Sequence, residues 1–517
     1  MIFAEIKSRC DAFLCDEKKI FGLALILIIT LSIISVFASS DIYRDVAHVY
    51  AYYAREIGNG DLAGGFVGRV PMLNILLAGA LSFAGVDAYR ACIIVSCMFY
   101  VLTLFPLRSY LERFLSPLAA AYGCLLFVVA PKIIRYSVSG LIDSGRYFFL
   151  IGALLFLFRL IDAPTWRRAV VFGFFAAGEA VSRGEGIIIS SVLLLGFPIL
   201  SAVRHKITDA RSVWRLAAAM AIALLVFVAG ITPFCIGNFV KFGAFVTDMR
   251  MYEQVSSLKR KLSHDRNAEV RHVSTARKTA EDKQSRLIRF FYIFGQSVRG
   301  GYEVYCVFSG LGILLLLWLK RWRWEFSVLM MLYLIHQGIY FFGGSAYRYS
   351  IYLVPMLMPF TIFGLKTVWE VYCWLPFLAG WRHFVDIAIV IGAVVFLAVC
   401  VDNGMSIVFS SGGEPKRVVA DFIRSWKECN VPGRRLKIAD DGGAPEIVYW
   451  SGAYLVNGYA APKKWSECLN MADLIMVREK NFEEAAAKAE LEFIKDFPLK
   501  KNYRVYLFRP RGAAGRK

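Results

Sequence analysis

Four polar clusters interrupt an otherwise apolar chain, and their side chains are of the kinds that move protons and hold phosphates. Asp41 and Asp45 follow the first apolar run in SDIYRDVAHVY, Asp143 stands in SGLIDSGR, Arg183 and Glu185 in SRGEG, and Arg348 in AYRYS. An ionisable group is costly in lipid, so one kept at the rim of an apolar bundle marks a site. A carboxylate placed there can take the proton of an attacking hydroxyl, a contribution of about 10² to 10⁴ in rate. Arginines can grip a phosphate bidentately and stabilise the charge growing on it. A phosphate departs as a stable anion, so the acid and base carboxylate pair of glycoside hydrolysis is not required. These residues suit displacement of a phosphate by a hydroxyl, with Asp45 as the base.

Each residue also has a plainer reading. Asp45 and Asp41 suit the N-cap of the helical stretch VAHVYAYYAREI, and Asp143 suits the cap of the apolar helix that follows it. Arg183 and Glu185 can be an interfacial ion pair in a glycine-rich turn. Arg348, between Tyr347 and Tyr349, can be a snorkelling anchor at the membrane surface. His48 on an aromatic helix reads as a packed residue. What distinguishes the chemical reading is that all four clusters fall on one side of the membrane, the pattern of a cleft at a bundle mouth.

That placement depends on the elements around them. The chain has 517 residues, of which 57% are hydrophobic and 19% charged, and its mean hydropathy is +0.52. So much apolar surface excludes an ordinary water-soluble globule and predicts a polytopic membrane bundle. The net charge of +20 is spread as punctuation between apolar runs, which argues for membrane orientation and against nucleic acid. Lys18 and Lys19 anchor a first helix over about residues 20–38, which carries Asp41 and Asp45 to the outer side. The next apolar run, Met72 to Gly85, is too short to cross about 30 Å of hydrocarbon and reads as re-entrant or surface-lying. With that run not spanning, about eleven spanning helices put nearly every short basic loop inside, among them Arg108 with Arg113, Arg167 with Arg168, and Lys320 to Arg323.

Two larger segments are polar. The outer loop over 234–302 holds a highly charged stretch from about 248 to 290, read as a solvated helix or a flap over a lipid-phosphate site. Residues 1–411 make the membrane module, with a first outer loop at 39–89, and residues 412–517 a soluble α/β domain on the outer side. Within it RVVADFIRSWKE predicts an amphipathic helix, and LKIAD, EIVYW, LIMV and RVYLFRP predict short strands. Eleven cysteines carry no CxxC or Cys/His metal spacing. Cys429 and Cys468 suit a disulfide in an oxidising compartment.

The order of these pieces resembles the C-type (GT-C) glycosyltransferase superfamily. In particular it is similar to the polyprenyl-phosphate-sugar-dependent family of the protein O-mannosyltransferases and the aminoarabinose transferases of lipid A (glycosyltransferase family 39). The resemblance runs through Asp45 with VAHVYAYYAREIGNGD, Pro71 and the short run to Gly85, and Ala88 to Arg90. It continues through APKIIRYSVSGLID with Asp143, SRGEG, ITPFCIGNFVKFGAF and RYSIYLVPMLMPF, and covers about residues 20–370. It implies an all-α polytopic GT-C-like bundle and inverting transfer from a polyprenyl-phosphate sugar. Asp45 is then the base, in register with Gly60 and Asp61. Asp143 is the second catalytic acidic residue, and Asp41, Arg183, Glu185 and Arg348 bind substrate.

The sequence also departs from that family. Where some relatives carry a metal- and phosphate-binding Glu-Lys pair, this chain reads Gly68, Arg69, Val70. Arg69 is left as a phosphate contact, and the pattern points away from a required divalent metal. Val46 after Asp45 replaces the Asp-Glu pair of the eukaryotic mannosyltransferases. The implied partners are a polyprenyl-phosphate lipid donor, membrane lipids, and an envelope lipid, glycan or protein acceptor. The implied place is the inner membrane, with the N-terminus cytoplasmic and the C-terminal domain periplasmic. A flippase for lipid-linked saccharides and a non-catalytic scaffold are the alternatives; no inverted repeat favours a transporter.

Overall fold

The structure is a computed structural model that describes residues 14–39, 42–205, 210–249, 303–343, 347–374, 382–406, 408, 414–441, 445–456, 465–469, 471–500 and 503–511, with isolated positions between 252 and 298. Asp41 and nearly all of the 248–290 stretch lie outside the described residues. The chain divides into two compact units. One comprises residues 1–32, 97–137 and 142–405; the other comprises 33–96, 138–141 and 406–517. The loop after the first helix thus groups with the C-terminal residues.

The first unit is helical. Among the described residues its long helices are α1 (Glu17–Ala38) and α4 (Ala88–Leu111), both shared with the second unit, and the pair α5 (Pro117–Val129) and α6 (Pro131–Val138). They continue with α7 (Asp143–Asp162), α8 (Trp166–Ser182), α9 (Gly186–His205), α10 (Ala210–Phe242), α11 (Glu303–Trp318), α12 (Trp324–Gly343), α13 (Leu353–Trp374) and α14 (Arg382–Met405). Among the described residues, four helices are long and apolar enough to cross a membrane, and the α5–α6 pair, bent by 59°, makes a fifth if it counts as one span. The break falls at Pro131. Proline has no N–H to offer the carbonyl four residues back, and its ring crowds that carbonyl. Pro233, by contrast, is carried inside α10, which continues to Phe242.

Small residues set how closely these helices approach. A Cβ on Gly364 would meet the carbonyl oxygen of Phe308, and one on Gly312 the carbonyl oxygen of Phe360, so α11 and α13 touch backbone to backbone. Gly152 and Gly178 likewise seat the rings of Phe175 and Phe149 between α7 and α8. At the far end of α7, Arg113 holds Asp162 at 2.6 Å and Glu325 at 3.0 Å, tying the ends of α4, α7 and α12. Twenty residues of helix rise about 30 Å, so that ionic clasp and Asp143 sit on opposite sides of a bilayer-thick layer.

The second unit joins the first loop to an α/β domain. The loop contributes a π turn at Val46–Tyr50, then α2 (Ala51–Gly58) and α3 (Leu73–Phe83). The α3 helix is 11 residues long, as expected for an apolar run too short to span. Gly58 lies on Ser82 and Gly79 on Ile57, which lets α2 and α3 pack closely.

The domain has α15 (Glu414–Asn430), β1 (Lys437–Asp440), α16 (Pro445–Trp450), β2 (Tyr454–Leu455), β3 (Leu474–Arg478), β4 (Leu491–Lys500) and β5 (Tyr503–Pro510). Sheet order is β2-β1-β3-β5-β4, with β1 parallel to both neighbours and β4–β5 an antiparallel hairpin. Ala439, Ile475, Val477, Leu491 and Phe508 form its core.

The amphipathic helix and three of the strands fall where the sequence puts them. EIVYW does not: it is helical, with Pro445 opening α16 at the first helical position, where the missing N–H costs nothing. Cys429 and Cys468 are not joined in a disulfide; Cys429 is exposed and Cys468 buried.

Candidate active site

In the first unit, α7 starts at Asp143, and its N-cap is Ile142, so the aspartate is inside the first turn rather than capping it. Both carboxylate oxygens are spoken for. Arg183 Nη1 donates to Oδ1 at 2.5 Å, and Arg348 Nε donates to Oδ2 at 2.9 Å. Arg183 ends α8, held in an extended conformation (φ −153°, ψ 152°). The tight turn behind it leaves no room for a side chain at Gly186, whose Cβ would strike the carbonyl oxygen of Glu179. Glu185 on that turn accepts from Arg146 Nη1 at 2.6 Å and lies 3.2 Å from Arg183 Nε. Arg146 Nε in turn reaches Glu179 Oε1 at 3.3 Å.

The result is a cluster of three arginines and three carboxylates. Asp143, Arg146, Glu179, Arg183 and Glu185 are all buried, and Arg348 is the member that retains some exposure. Its formal charge balances, which is what lets six ionisable groups sit in a bundle interior. Arg348 is also the member on a separate short element, the 3-10 turn Tyr347–Ser350.

A chain of polar contacts backs that turn. The buried His336 of α12 meets Ser350 Oγ at 3.0 Å through Nε2 and Tyr352 Oη at 2.8 Å through Nδ1. The guanidinium of Arg146 stands 3.6 Å over the Tyr352 ring. Beside the same turn, α11, α12 and α13 enclose a cavity of about 290 Å³ lined by Tyr305, Ser309, Ile313, Met330, Leu353 and Leu357 among others.

In the second unit, Asp45 stands directly before the π turn in right-handed helical geometry (φ −66°, ψ −29°), and its side chain makes no capping hydrogen bond. The cap reading of Asp45 therefore fails, whereas Asp61 does cap, accepting from Gly64 N–H at 2.7 Å. A π turn is rare and concentrates at functional positions. Asp45 is half-buried, and His48 three residues on is half-buried as well. Burial, with help from Arg44, pushes the His48 imidazole below its ordinary range. Arg69 is half-buried in the segment after Gly68, which takes φ +66°.

Solved structures share this architecture. The oligosaccharyltransferase of Archaeoglobus fulgidus, in complex with zinc and sulfate, is 13% identical with a TM-score of 0.55, over 89% of this chain and 69% of that one. The same organism's oligosaccharyltransferase AglB, with an inhibitory peptide and a dolichol-phosphate, is 12% identical with a TM-score of 0.52, over 89% of this chain and 70% of that one. The chain has the C-type glycosyltransferase fold. ArnT from Cupriavidus metallidurans in the apo state aligns over 96% of this chain and 99% of that one at 11% identity, with a TM-score of 0.46. No family model and no curated protein sequence matches the chain.

Within this GT-C fold, four of the residues singled out from sequence, Asp143, Arg183, Glu185 and Arg348, meet in one cluster. Asp45 and Arg69 belong to the other unit. The sequence reading missed Arg146 and Glu179. Both were detectable as ionisable residues inside apolar helices, at AAGEAVS and one turn after Asp143. Among the described residues, no group of three or more His, Cys, Asp or Glu is placed to hold a metal ion.

Proposed function

We propose that this protein is an inverting membrane glycosyltransferase that takes a sugar from a polyprenyl-phosphate donor and delivers it to an envelope acceptor. The observation that carries the reading is the pair of guanidinium groups, Arg183 and Arg348, closed on one buried carboxylate. Two arginines converging on an acid are also converging on the place a phosphate would occupy, and Arg348 is the more exposed of the two. The neighbouring apolar cavity at the start of α13 suits the first isoprene units of the lipid. The dolichol-phosphate complex of the A. fulgidus enzyme supports a lipid-phosphate ligand for this fold.

In this reading the acceptor oxygen attacks the anomeric carbon as the bond from that carbon to the phosphate oxygen breaks. The bonding electrons leave with the polyprenyl phosphate, and Arg183 and Arg348 stabilise it. The acceptor's proton passes to the carboxylate of Asp45. Asp143 keeps the two arginines apart and oriented while no phosphate is bound, and Arg146 with Glu179 and Glu185 fixes Arg183. Arg69 and Asp41 are assigned to substrate contact. No step here calls on a metal ion. In this proposal the reaction takes place on the outer face of the inner membrane.

The test is direct binding. The full-length protein in detergent or nanodiscs should bind undecaprenyl phosphate, and Arg348→Ala should weaken that binding at least tenfold while the protein remains folded. Unchanged binding by Arg348→Ala and Arg183→Ala would remove the phosphate assignment. Sugar transfer by vesicle-reconstituted protein separates this reading from a flippase, which would move the lipid without breaking the bond.

A further inference from the structure

The helix that follows Asp45 is held from the C-terminal domain. Glu56 of α2 is buried, 6% exposed, and Arg435, just ahead of β1, donates to both of its oxygens at 2.7 Å in a two-bond fork. Arg55 Nη1 donates to the carbonyl oxygen of Tyr449 at 2.8 Å, and its guanidinium lies 4.8 Å over the Tyr449 ring. The hydroxyl of Tyr449 donates to Asp87 at 3.2 Å and accepts from the Tyr89 N–H at 3.0 Å. Tyr449 lies on α16, the element that packs directly on the π turn Val46–Tyr50. A planar guanidinium forked onto a carboxylate fixes orientation as well as distance, and here it does so at the far end of the helical segment whose near end is Asp45.

We propose that the C-terminal α/β domain is the positioning partner of Asp45, acting through α16, Glu56–Arg435 and Arg55–Tyr449. The domain is then part of the transfer machinery rather than an appendage. Two of its contacts grip α2, a third grips the start of α4 through Asp87 and Tyr89, and the fourth is the packing of α16 on the π turn. A π turn wins no extra hydrogen bonds over an α-helix, so it persists where surrounding contacts hold it. Arg435 and Glu56 are positioning residues. The inference rests on Asp45 being the base, and the experiment separates the two.

Amide hydrogen exchange on the full-length protein in nanodiscs reads positioning without any substrate. Arg435→Ala should raise exchange over residues 46–58 about tenfold or more, leave residues 143–158 unchanged, and leave β3 at 474–478 protected. The swap Glu56→Arg with Arg435→Glu should restore protection. In cells lacking the chain, envelope species that depend on it are quantified by mass spectrometry after complementation. There Arg435→Ala should lower the product about tenfold with undecaprenyl phosphate binding intact, and should add nothing to Asp45→Asn. Unchanged exchange over 46–58, failure of the swap while β3 stays protected, or full additivity with Asp45→Asn overturns the proposal. Full product from Asp45→Asn instead sinks the base assignment, and the exchange data then still decide whether the domain holds this helix.

Discussion

Replacing Asp143 with asparagine separates an acid that reacts from an acid that holds arginines. The unaltered carboxylate neutralises Arg183 and Arg348 from 2.5 and 2.9 Å. Removing one partner of a buried ionic pair costs about 3–5 kcal/mol, because the surviving charge is left uncompensated. Asp143→Asn should therefore melt well below the unaltered protein when no ligand is present. Adding a lipid phosphate reverses the sign. A phosphate gripped by the same two guanidinium groups would lie on the order of 5 Å from the Asp143 carboxylate, where two unit charges repel by about 3 kcal/mol at an effective dielectric constant near 20. Deleting that repulsion should tighten phosphate binding by one to two decades, about 1.4–2.7 kcal/mol, with looser arginines absorbing the remainder. The assay is thermal melting in detergent across a titration of undecaprenyl phosphate, since a ligand that binds only the folded state stabilises it by RT ln(1 + [L]/Kd). Asp143→Asn should start lower and gain more. If the variant binds undecaprenyl phosphate no more tightly than the unaltered protein, the arginine pair is not the phosphate site and the argument fails.

Three further outcomes are expected. Asp45→Asn should lower transfer by about 10² to 10⁴ at unchanged protein level and unchanged undecaprenyl phosphate binding, as removal of a general base does; activity within a factor of two of the parent refutes the role. Gly364→Val puts a branched side chain where the carbonyl oxygen of Phe308 already sits. It should cost about 1–3 kcal/mol or more by forcing α11 and α13 apart, read as a lower melting temperature and loss of the monodisperse peak. His48 is held below its ordinary pKa by burial, so the unfolded chain takes up the proton first. Stability from this residue is fully present above about pH 6.5 and falls as the pH drops below it. Melting curves from pH 7.5 to 5 should show His48→Gln flatter than the parent, and parallel slopes would refute the assignment.

Where local chemistry fixes the outcome, the chain was legible. Apolar runs of bilayer length became helices, and the 11-residue α3 stayed short, ending just ahead of Gly85, which takes φ +94°. The strands at 437–440, 474–478 and 503–510 carry their own alternation or apolar density. EIVYW misled because its β-branched and aromatic residues fit a strand, and only Pro445 at the first helical position gives the helix away. Leu491–Lys500 was missed because Pro498, Lys495 and Asp496 dilute the pattern; among the described residues it is the outermost strand of the sheet, paired with β5 alone, where proline is tolerated.

The site was legible in kind more than in wiring. Spacing identified Asp143, Arg183, Glu185 and Arg348 as candidates, but two of their partners, Arg146 and Glu179, sit within helices where a periodicity argument sees only apolar surroundings. Satisfaction of every buried polar atom is the missing inference. Asp143, Arg183, Glu185 and Arg348 alone leave two cations and two anions with the Glu185 carboxylate only half satisfied, and a bundle interior then demands further partners. The same reasoning reaches the first loop. Glu56 ends a short helix beside apolar Ile57, and a carboxylate buried there requires a cation that the loop's own Arg55, turned toward Tyr449, does not supply. The partner comes from residue 435, 379 positions along the chain. No local pattern announces such a pairing, yet it is the contact that makes the loop and the C-terminal domain one unit and gives the domain its hold on the helix behind Asp45.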